Sequence, residues 1–383
     1  MKILLIGEYS NLHNSLKKGL IDLGHEVTLV SFGDGFKDFS SDIRLSRKKF
    51  SNSLSSLKSV FNFVSKYPYS FYVKSVKFQR VLGKLKGYDV VQLINEHPIG
   101  GLPAIEKIQI KRIKKINGAL FLLSSGDDFT NISYYMASDK MKYSIMTPLL
   151  KDKKLNSKYS YSLKYLSKSF QNLSRRIHNI SDGIIASDFD YHLPLKNNPK
   201  YLGMIPNPVV LDKRVTKKKS NSNLRILLGI NTSSYIKKGL NYFEDALTQI
   251  KEKYPEVDIQ ITKNLPFENY LDQLNQCDIL LDQVFAYDQG YNALEAMALG
   301  KVVFTGAEDE FLSYYSLEED EVAINALPDV NYLVEKLSTL IGNPKKIIDI
   351  GKNAKAFIKK HHEATAIAKK YVDTWQKAMS KNA

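Results

Sequence analysis

The chain has 383 residues, of which 43% are hydrophobic and 25% are charged, and this composition excludes a disordered or fibrous protein. At about 100 to 200 residues per domain, the length predicts two domains. No apolar run approaches the roughly 18 to 20 residues of a membrane-spanning helix, and the single cysteine excludes an internal disulfide and a cysteine-based metal cluster. These features predict a folded enzyme of a reducing compartment, the cytoplasm.

The formal net charge of +15 is carried by one half of the chain. Residues 1–200 contain 32 Lys and Arg against 16 Asp and Glu, whereas residues 201–383 contain 23 against 24. A basic half favours an anionic partner, which can be a membrane surface or a polyanion. Because no nucleic-acid-binding motif accompanies the charge, a nucleic acid is not expected as a partner.

In the first half, apolar runs bounded by turn residues alternate with amphipathic stretches, as in parallel strands joined by helices. A helix between the first two strands carries Leu16 and Leu20 at helical spacing and ends at Gly24. The predicted strands are 2–6, 25–32, 88–94, 119–125 and 183–187.

Two stretches of this half, 40–86 and 151–176, combine Lys and Ser with many aromatic residues. One interpretation is a set of helices with a solvated basic face and an aromatic core stripe. The other is a surface that faces a membrane or an acceptor, because Lys and Arg attract anionic headgroups and aromatic rings settle at the interface. In the first stretch the aromatic residues are Phe50, Phe61, Phe63, Tyr67, Tyr69, Phe71, Tyr72 and Phe78.

A domain boundary is predicted at 204–223, where two prolines precede a Lys and Ser run that is too polar for a core. A second cycle of strands and helices then begins. Its predicted strands are 224–231, 257–262, 277–285 and 301–306. Since ligands of open parallel sheets bind beyond the strand carboxyl ends, the cleft between two such domains is the expected site.

The most informative segment is 285–306, in which a strand and a glycine-containing loop precede a short helix from Asn292. Glu295 lies one turn into that helix, where its carboxylate can accept both hydroxyls of a ribose while backbone N–H groups face a phosphate. The alternative is a solvated first-turn glutamate that the helix dipole favours. Position alone leaves both interpretations open.

The run EAMALGK at 295–301 resembles the donor-site signature of the retaining GT-B glycosyltransferases of family four. In that family two glutamates are separated by seven residues, and the first touches the donor sugar. Tyr287 occupies the first position here, which leaves retaining versus inverting chemistry open. Asp282 and Asp288 are nearby acids that could compensate.

Three other segments resemble the same family. IPNPV at 205–209 is similar to its interdomain segment, where prolines fix the chain direction. Lys237 and Lys238 match the element that neutralises the donor diphosphate, and Lys238 is the better match because it directly precedes Gly239. The position of the family arginine is occupied by Ile230 or Asn231. The turn at 122–128 has Ser125 where many relatives have histidine and ends at an acid, Asp128.

The resemblance also implies roles for individual residues. The loop 7–11 is expected to face the donor phosphates and the acceptor, with Gly7 allowing a tight turn, and 263–268 is expected to form the base pocket. The assigned catalytic residues are Ser125, Asp128 and Tyr287. The assigned donor-binding residues are Gly7, Glu8, Asn231, Lys237, Lys238, Gly290, Tyr291, Asn292 and Glu295.

The fold implied is α/β, with two Rossmann-like domains facing each other across a cleft. Residues 1–203 form the basic acceptor domain and 204–365 the nucleotide-sugar donor domain. Residues 366–383 form a helix that crosses back onto the first domain through Tyr371 and Trp375.

The function implied is a hexosyltransferase-like transfer from a nucleotide sugar to a saccharide or lipid-linked acceptor, in bacterial cell-surface polysaccharide assembly. The transfer is expected to be retaining and to need no metal or cofactor, because lysines and a helix N-terminus offset the charge of the leaving diphosphate. A peripheral position at an anionic membrane is also expected. The alternative is a catalytically silent sugar- or nucleotide-binding protein, and the sugar, nucleotide, acceptor, linkage and oligomeric state stay open.

Three features are expected to be structural. Asp188 and Asp190 resemble a metal-binding D-x-D motif, but Asp188 follows a strand and is predicted to cap a helix. Cys277 is predicted to be a small packed residue. The pair His361 and His362 is predicted to lie at the surface.

Overall fold

The computed structural model describes residues 1–33, 39–45, 67–137, 139–211 and 223–382. Parts of the stretch 40–86, with Phe50, Phe61 and Phe63, and of the polar run 204–223 lie outside the described residues. The described chain forms two parallel sheets, one of seven strands and one of five.

The first sheet has the order β3-β2-β1-β4-β5-β6-β7. Its central strands are largely apolar and buried, because helices cover both faces. The strands are β1 (Lys2–Ile6), β2 (Glu26–Ser31), β3 (Ile43–Arg44), β4 (Val90–Leu93), β5 (Ala119–Ser124), β6 (Gly183–Ala186) and β7 (Tyr201–Met204). The helices are α1 (Leu12–Asp22), α2 (Tyr69–Leu82), α3 (Pro103–Ile116), α4 (Phe129–Tyr135), α5 (Thr147–Lys151), α6 (Ser160–Leu163), α7 (Lys168–Ile180) and α8 (Phe189–Leu195).

The second sheet has the order β12-β11-β10-β8-β9. Its strands are β8 (Arg225–Ile230), β9 (Asp258–Lys263), β10 (Ile279–Leu281), β11 (Val302–Thr305) and β12 (Ile324–Asn325). The helices are α9 (Leu240–Lys253), α10 (Phe267–Gln276), α11 (Tyr291–Ala298), α12 (Asp309–Tyr315), α13 (Val330–Ile341), α14 (Pro344–His361) and α15 (Ala364–Asn382). Cys277 is fully buried beside β10, as predicted.

The last helix, α15, packs on α1 of the first domain. Tyr371 and Trp375 are fully buried there, and the ring centroids of Trp375 and Phe121 are 6.1 Å apart. At Gly19 a Cβ would lie 2.2 Å from the carbonyl oxygen of Ala364, so only glycine permits this approach. The predicted return of the C-terminal helix to the first domain is confirmed.

The chain passes between the domains twice, and the two passages are hydrogen bonded to each other. The Val209 N–H donates to the His362 carbonyl at 2.6 Å, and the Ala364 N–H donates to the Val209 carbonyl at 3.0 Å. His362 is only 4% exposed and its Nδ1 lies 2.8 Å from the Asn207 carbonyl. The surface position predicted for His362 is therefore wrong, and burial lowers the pKa of this imidazole to about 4.

The predicted fold class, two Rossmann-like α/β domains in a GT-B arrangement, is confirmed. In the described ranges, none of the helices is both long enough and apolar enough to cross a lipid bilayer.

Candidate functional site

A pocket of about 330 Å³ lies where the loop after β1 meets the loops after β8, β9 and β10. A volume above roughly 300 Å³ is in the range of small-molecule sites. Five of the residues predicted to bind the donor line it: Asn231, Lys238, Gly290, Tyr291 and Asn292. The loops that build it follow the strand carboxyl ends, as expected for an open parallel sheet.

The polar wall of this pocket is organised by Asp282, which is only 2% exposed. Its Oδ1 accepts hydrogen bonds from Lys238 Nζ at 2.9 Å and from Asn292 Nδ2 at 2.8 Å. The Tyr270 hydroxyl donates to Asn292 Oδ1 at 2.7 Å. Because an ammonium group has three donors, Lys238 retains the capacity to bind an anion in the pocket.

Helix α11 begins at the pocket with Gly290 as its N-cap and no acidic residue in its first turn. Backbone N–H groups at such a helix start carry partial positive charge and favour an anion. The Tyr291 hydroxyl donates to the Pro208 carbonyl at 2.8 Å, which fixes this turn against the interdomain segment. Glu295 lies one turn further along α11 and is not part of the pocket lining.

The loop 7–11 has an unusual backbone. Gly7 has φ 90°, and the non-glycine residues Ser10 and Asn11 have φ 51° and 75°. A Cβ on Gly7 would lie 2.3 Å from Ile94 Cγ2. Left-handed conformations at non-glycine residues are often concentrated at ligand sites, and Ser10 lines the pocket.

Glu8, in the same loop, supports the helix that follows. Its Oε2 accepts hydrogen bonds from the backbone N–H and the Nδ2 of Asn14, at 2.9 and 2.8 Å. His13 is fully buried with Nδ1 2.7 Å from the Gly7 carbonyl. The structure therefore places Glu8 at the start of α1, outside the pocket lining, and its donor-binding role stays a prediction.

The adjacent lysines Lys237 and Lys238 point to different places. Lys237 Nζ lies 3.1 Å from Asp127 Oδ2 and 2.5 Å from Ser162 Oγ, both in the first domain. Lys238 alone of the pair lines the pocket. Lys237 thus joins the two domains, whereas Lys238 is the cation available to a ligand there.

Asp128 caps helix α4, because its Oδ1 accepts the Asn131 N–H at 2.8 Å. It is 1% exposed, and burial together with the nearby Glu96 raises the pKa of its carboxyl. Ser125, 6% exposed, follows β5 directly. Neither residue lines the pocket, so their catalytic roles stay predictions.

Tyr287, which stands at the family's first glutamate position, is buried between the domains at 2% exposure. Its hydroxyl accepts the Lys142 N–H at 2.6 Å, and its ring lies 5.7 Å from that of Tyr143. It does not line the pocket. The structure thus gives Tyr287 an interdomain contact, and its catalytic role stays a prediction.

Beside Tyr287, two carboxylates bridge the domains reciprocally. Asp190 accepts the Tyr287 N–H at 3.2 Å, while Asp288 accepts the Phe189 N–H at 3.3 Å and the Gln289 N–H at 2.6 Å. Asp188 caps α8 through the Tyr191 N–H, as predicted. We refer to Asp190, Asp288 and the N–H groups that they accept as the carboxylate clasp.

The carboxylate clasp makes folding sensitive to pH. Burial is the main cause that raises the pKa of Asp288 and of Asp190 to about 7, from an ordinary value of 3.8, and hydrogen bonds partly offset it. A carboxyl with a raised folded-state pKa contributes most to the free energy of unfolding below pH 4, and this contribution is lost as the pH rises through 7. The nearby charge of Glu308 adds to the rise in the pKa of Asp190, and burial together with Asp190 and Asp288 raises the pKa of Asp188 as well.

We expect Asp288→Asn to reduce the fall in unfolding free energy between pH 4 and pH 7 by on the order of 1 kcal/mol per pH unit. The amide keeps an oxygen for the Phe189 N–H but does not ionise. Denaturant unfolding at several pH values measures the effect, with the exposed Asp245→Asn as the control. Parallel pH profiles for wild type and Asp288→Asn would contradict this account.

Ser10, which lines the pocket, lies in the loop 7–11 that was expected to face the donor phosphates. Sequence reasoning missed Ser234, Thr262, Tyr270 and Gln283. Asn264 and Leu265 were within the predicted base-pocket turn, and both line the pocket. Tyr270 could have been found because it lies one turn into the amphipathic helix that follows this turn. Among the described residues, no three His, Cys, Asp or Glu side chains are arranged to hold a metal ion.

Residues 233–373 match a family model described as glycosyl transferase-like. This match contains Lys238 and the whole of α11. No curated protein sequence matches the chain.

Solved structures resemble the chain over its whole length. A sucrose-phosphate synthase from Thermosynechococcus elongatus is 13% identical with a TM-score of 0.62, and the match covers 100% of this chain and 100% of the synthase. Anabaena HepE, in complex with UDP and glucose, is 12% identical with a TM-score of 0.58, over 98% of this chain and 99% of its own. The UDP-GlcNAc 2-epimerase of Neisseria meningitidis, bound to UDP-GlcNAc, is 13% identical with a TM-score of 0.52, over 98% and 100%. At these identities the likeness shows the fold.

Proposed function

We propose that this chain of GT-B fold is a glycosyltransferase that moves a sugar from a nucleotide sugar, bound by the second domain, to an acceptor on the basic first domain. The observation that carries the proposal is the convergence of Lys238 and the start of α11 on one pocket in the cleft. The family match over residues 233–373 supports it, because that segment supplies both groups. In the proposed division, 1–203 is the acceptor domain, 204–365 the donor domain and 366–383 the returning helix.

In the proposed reaction, the bond between the anomeric carbon and the diphosphate oxygen breaks, and the acceptor oxygen bonds to that carbon. The electron pair leaves with the nucleoside diphosphate, and the hydroxyl proton of the acceptor passes to water. Lys238 and the N–H groups at the start of α11 stabilise the developing phosphate charge. This positive charge from the chain is the reason for proposing a transfer without a metal ion or cofactor.

The nucleoside is proposed to lie toward Leu265 and Tyr270, with the ribose hydroxyls toward Glu295. Burial is the main cause that raises the pKa of Tyr270, with smaller contributions from Asp282 and Glu295, so the phenol stays neutral and remains a donor. UDP is the first nucleotide to test, since the GT-B neighbour HepE has been seen with UDP and glucose.

We further propose a retaining hexosyl transfer to a saccharide or lipid-linked acceptor, in bacterial surface polysaccharide assembly at the cytoplasmic face of a membrane. The excess of Lys and Arg in residues 1–200 supports the membrane part, because anionic headgroups attract such a surface. A silent nucleotide-sugar binder is the second candidate, because Tyr287 and Ser125 replace the expected glutamate and histidine.

Thermal unfolding with UDP, GDP, ADP and CMP, each with its sugars, tests the donor site. One nucleotide at about 100 times its Kd should stabilise the wild type by about 2.7 kcal/mol, and Glu295→Ala should abolish most of this shift. The exposed Glu252→Ala is the matched control. If none of the nucleotides shifts the wild type, the donor site is wrong.

A further inference from the structure

A second and larger cavity, of about 800 Å³, lies in the first domain and is not used by the proposed donor. It is formed by the start of α2, the turn before α3, and the segment from α6 to α7. Aromatic rings and two lysines, Lys74 and Lys164, dominate its wall. We call it the aromatic-lysine cavity.

The two ammonium groups of this cavity are held against rings. Lys164 Nζ lies 3.6 Å from the ring centroid of Tyr161 and 4.7 Å from that of Tyr165. Lys74 Nζ lies 5.4 Å from the Phe32 centroid. Within the described residues, neither ammonium has a carboxylate closer than 4 Å.

The nearest acids are already engaged. Glu106 accepts the Ile99 and Gly101 N–H groups, each at 2.8 Å, and Asp127 is paired with Lys237. Burial is the main cause that lowers the pKa of Lys164 to about 8; the charge of Asp127 opposes this effect, and those of Lys74 and Lys237 add to it. Two confined like charges of this kind favour an anion between them.

Two helix starts add to this positive potential. Ser70 and Phe71 in the first turn of α2, and Ser167 at the N-cap of α7, line the cavity. Neither first turn contains an acidic residue, so the partial positive charge of both helix ends is uncompensated by the helices themselves.

The cavity adjoins the 330 Å³ pocket proposed to bind the donor, which we call the donor pocket. Tyr9 lines the aromatic-lysine cavity and the next residue, Ser10, lines the donor pocket. Consecutive Cα atoms are only about 3.8 Å apart. Lys237 and Lys238 are likewise neighbours that face the two different sites. Lys237 Nζ lies 5.7 Å from the ring centroid of Tyr161, in the wall of the aromatic-lysine cavity, while Lys238 lines the donor pocket.

We propose that the aromatic-lysine cavity binds the acceptor and that this acceptor is a phosphorylated saccharide. This proposal rests on the proposed function. Its phosphoryl group lies between Lys74 and Lys164, and a sugar ring packs on the aromatic wall. A phosphoryl group fits better than a carboxylate because its charge near −2 matches two ammonium groups. A free hydroxyl of this saccharide then attacks the anomeric carbon of the donor, with the balance of bonds given above.

Isothermal titration tests the proposal with glucose 1-phosphate, glucose, glucuronate, inorganic phosphate and a prenyl-diphosphate-linked glucose as probes. The double variant Lys74→Gln/Lys164→Gln should bind the phosphorylated sugar at least about tenfold more weakly than wild type. Its UDP binding should be unchanged. The control is Lys84→Gln/Lys158→Gln, which neutralises two exposed lysines of the same domain.

The outcomes separate the two proposals. Failure of the wild type to bind any of UDP, GDP, ADP and CMP would contradict the proposed function. Nucleotide binding together with equal sugar-phosphate affinity in the wild type and in Lys74→Gln/Lys164→Gln would instead overturn the cavity assignment. Tighter binding of glucuronate, or equal binding of inorganic phosphate alone, would overturn the substrate class. If only the prenyl-diphosphate-linked glucose binds, and the double variant loses this binding, the phosphorylated-saccharide class is supported and the acceptor is lipid-linked.

Discussion

Replacing Lys238 with alanine should lower kcat for sugar transfer by about 10²- to 10³-fold, the effect of removing one donor from a developing anion. Among the described residues of the second domain, Lys238 is the cationic side chain that lines the donor pocket. Its ammonium is already positioned by Asp282 at 2.9 Å. It therefore needs little reorganisation when charge develops on the leaving diphosphate.

Loss of Lys238 also leaves the buried Asp282 without its ion pair, which can destabilise the fold. The double variant Lys238→Ala/Asp282→Asn separates the effects, because it removes the unpaired charge and should recover stability while kcat stays low. Steady-state rates and thermal unfolding of both variants are the measurements. The exposed Lys345→Ala serves as the control, and a Lys238→Ala enzyme with more than half the wild-type kcat would contradict the assignment.

Trp375→Ala should lower the free energy of unfolding by about 3 to 5 kcal/mol, the range for truncating a large buried aromatic residue. Trp375 is fully buried between α15 and the first domain, and its ring stacks near Phe121. Chemical denaturation measures the loss.

Two further variants define the cause of this loss. Among the described residues, the indole Nε1 of Trp375 has no hydrogen-bond partner, so Trp375→Phe should lose much less than Trp375→Ala. The exposed neighbour Gln376→Ala should change stability by less than about 0.5 kcal/mol. Equal losses for Trp375→Phe and Trp375→Ala would show that packing volume is not the cause.

The sequence was sufficient for the fold and for some of the residues that line the pocket in the cleft, because both depend on local patterns. Apolar runs followed by glycine turns mark the parallel strands, and the run from Gly290 to Asn292 lies on a helix start that periodicity can locate. Lys238 was also identified, since it directly precedes Gly239. These features are encoded within a few residues of each other.

The sequence could not separate residues whose roles depend on the other domain. Lys237 and Lys238 are neighbours in the chain, yet an acid from the first domain, Asp127, draws Lys237 away from the pocket. His362 was expected at the surface because its neighbours are lysines, but the interdomain segment covers it.

Long-range contacts also hide the second cavity from sequence reasoning. The stretches 40–86 and 151–176 share a composition of Lys and aromatic residues, but their pattern fits a solvated helix face equally well. The structure brings Lys74 from one stretch and Lys164 from the other to a common cavity. Neither lysine stands out within its own segment.

The central claim is that this cleft transfers a sugar, and donor turnover by the wild-type protein tests it most directly. Mass spectrometry of reactions with each nucleotide sugar, with the phosphorylated saccharides above as acceptors, follows donor and product together. The account predicts loss of one nucleotide sugar, an equal amount of nucleoside diphosphate, and a product heavier by one sugar residue. A nucleotide sugar that binds but remains intact with every acceptor would contradict it and favour the silent binder.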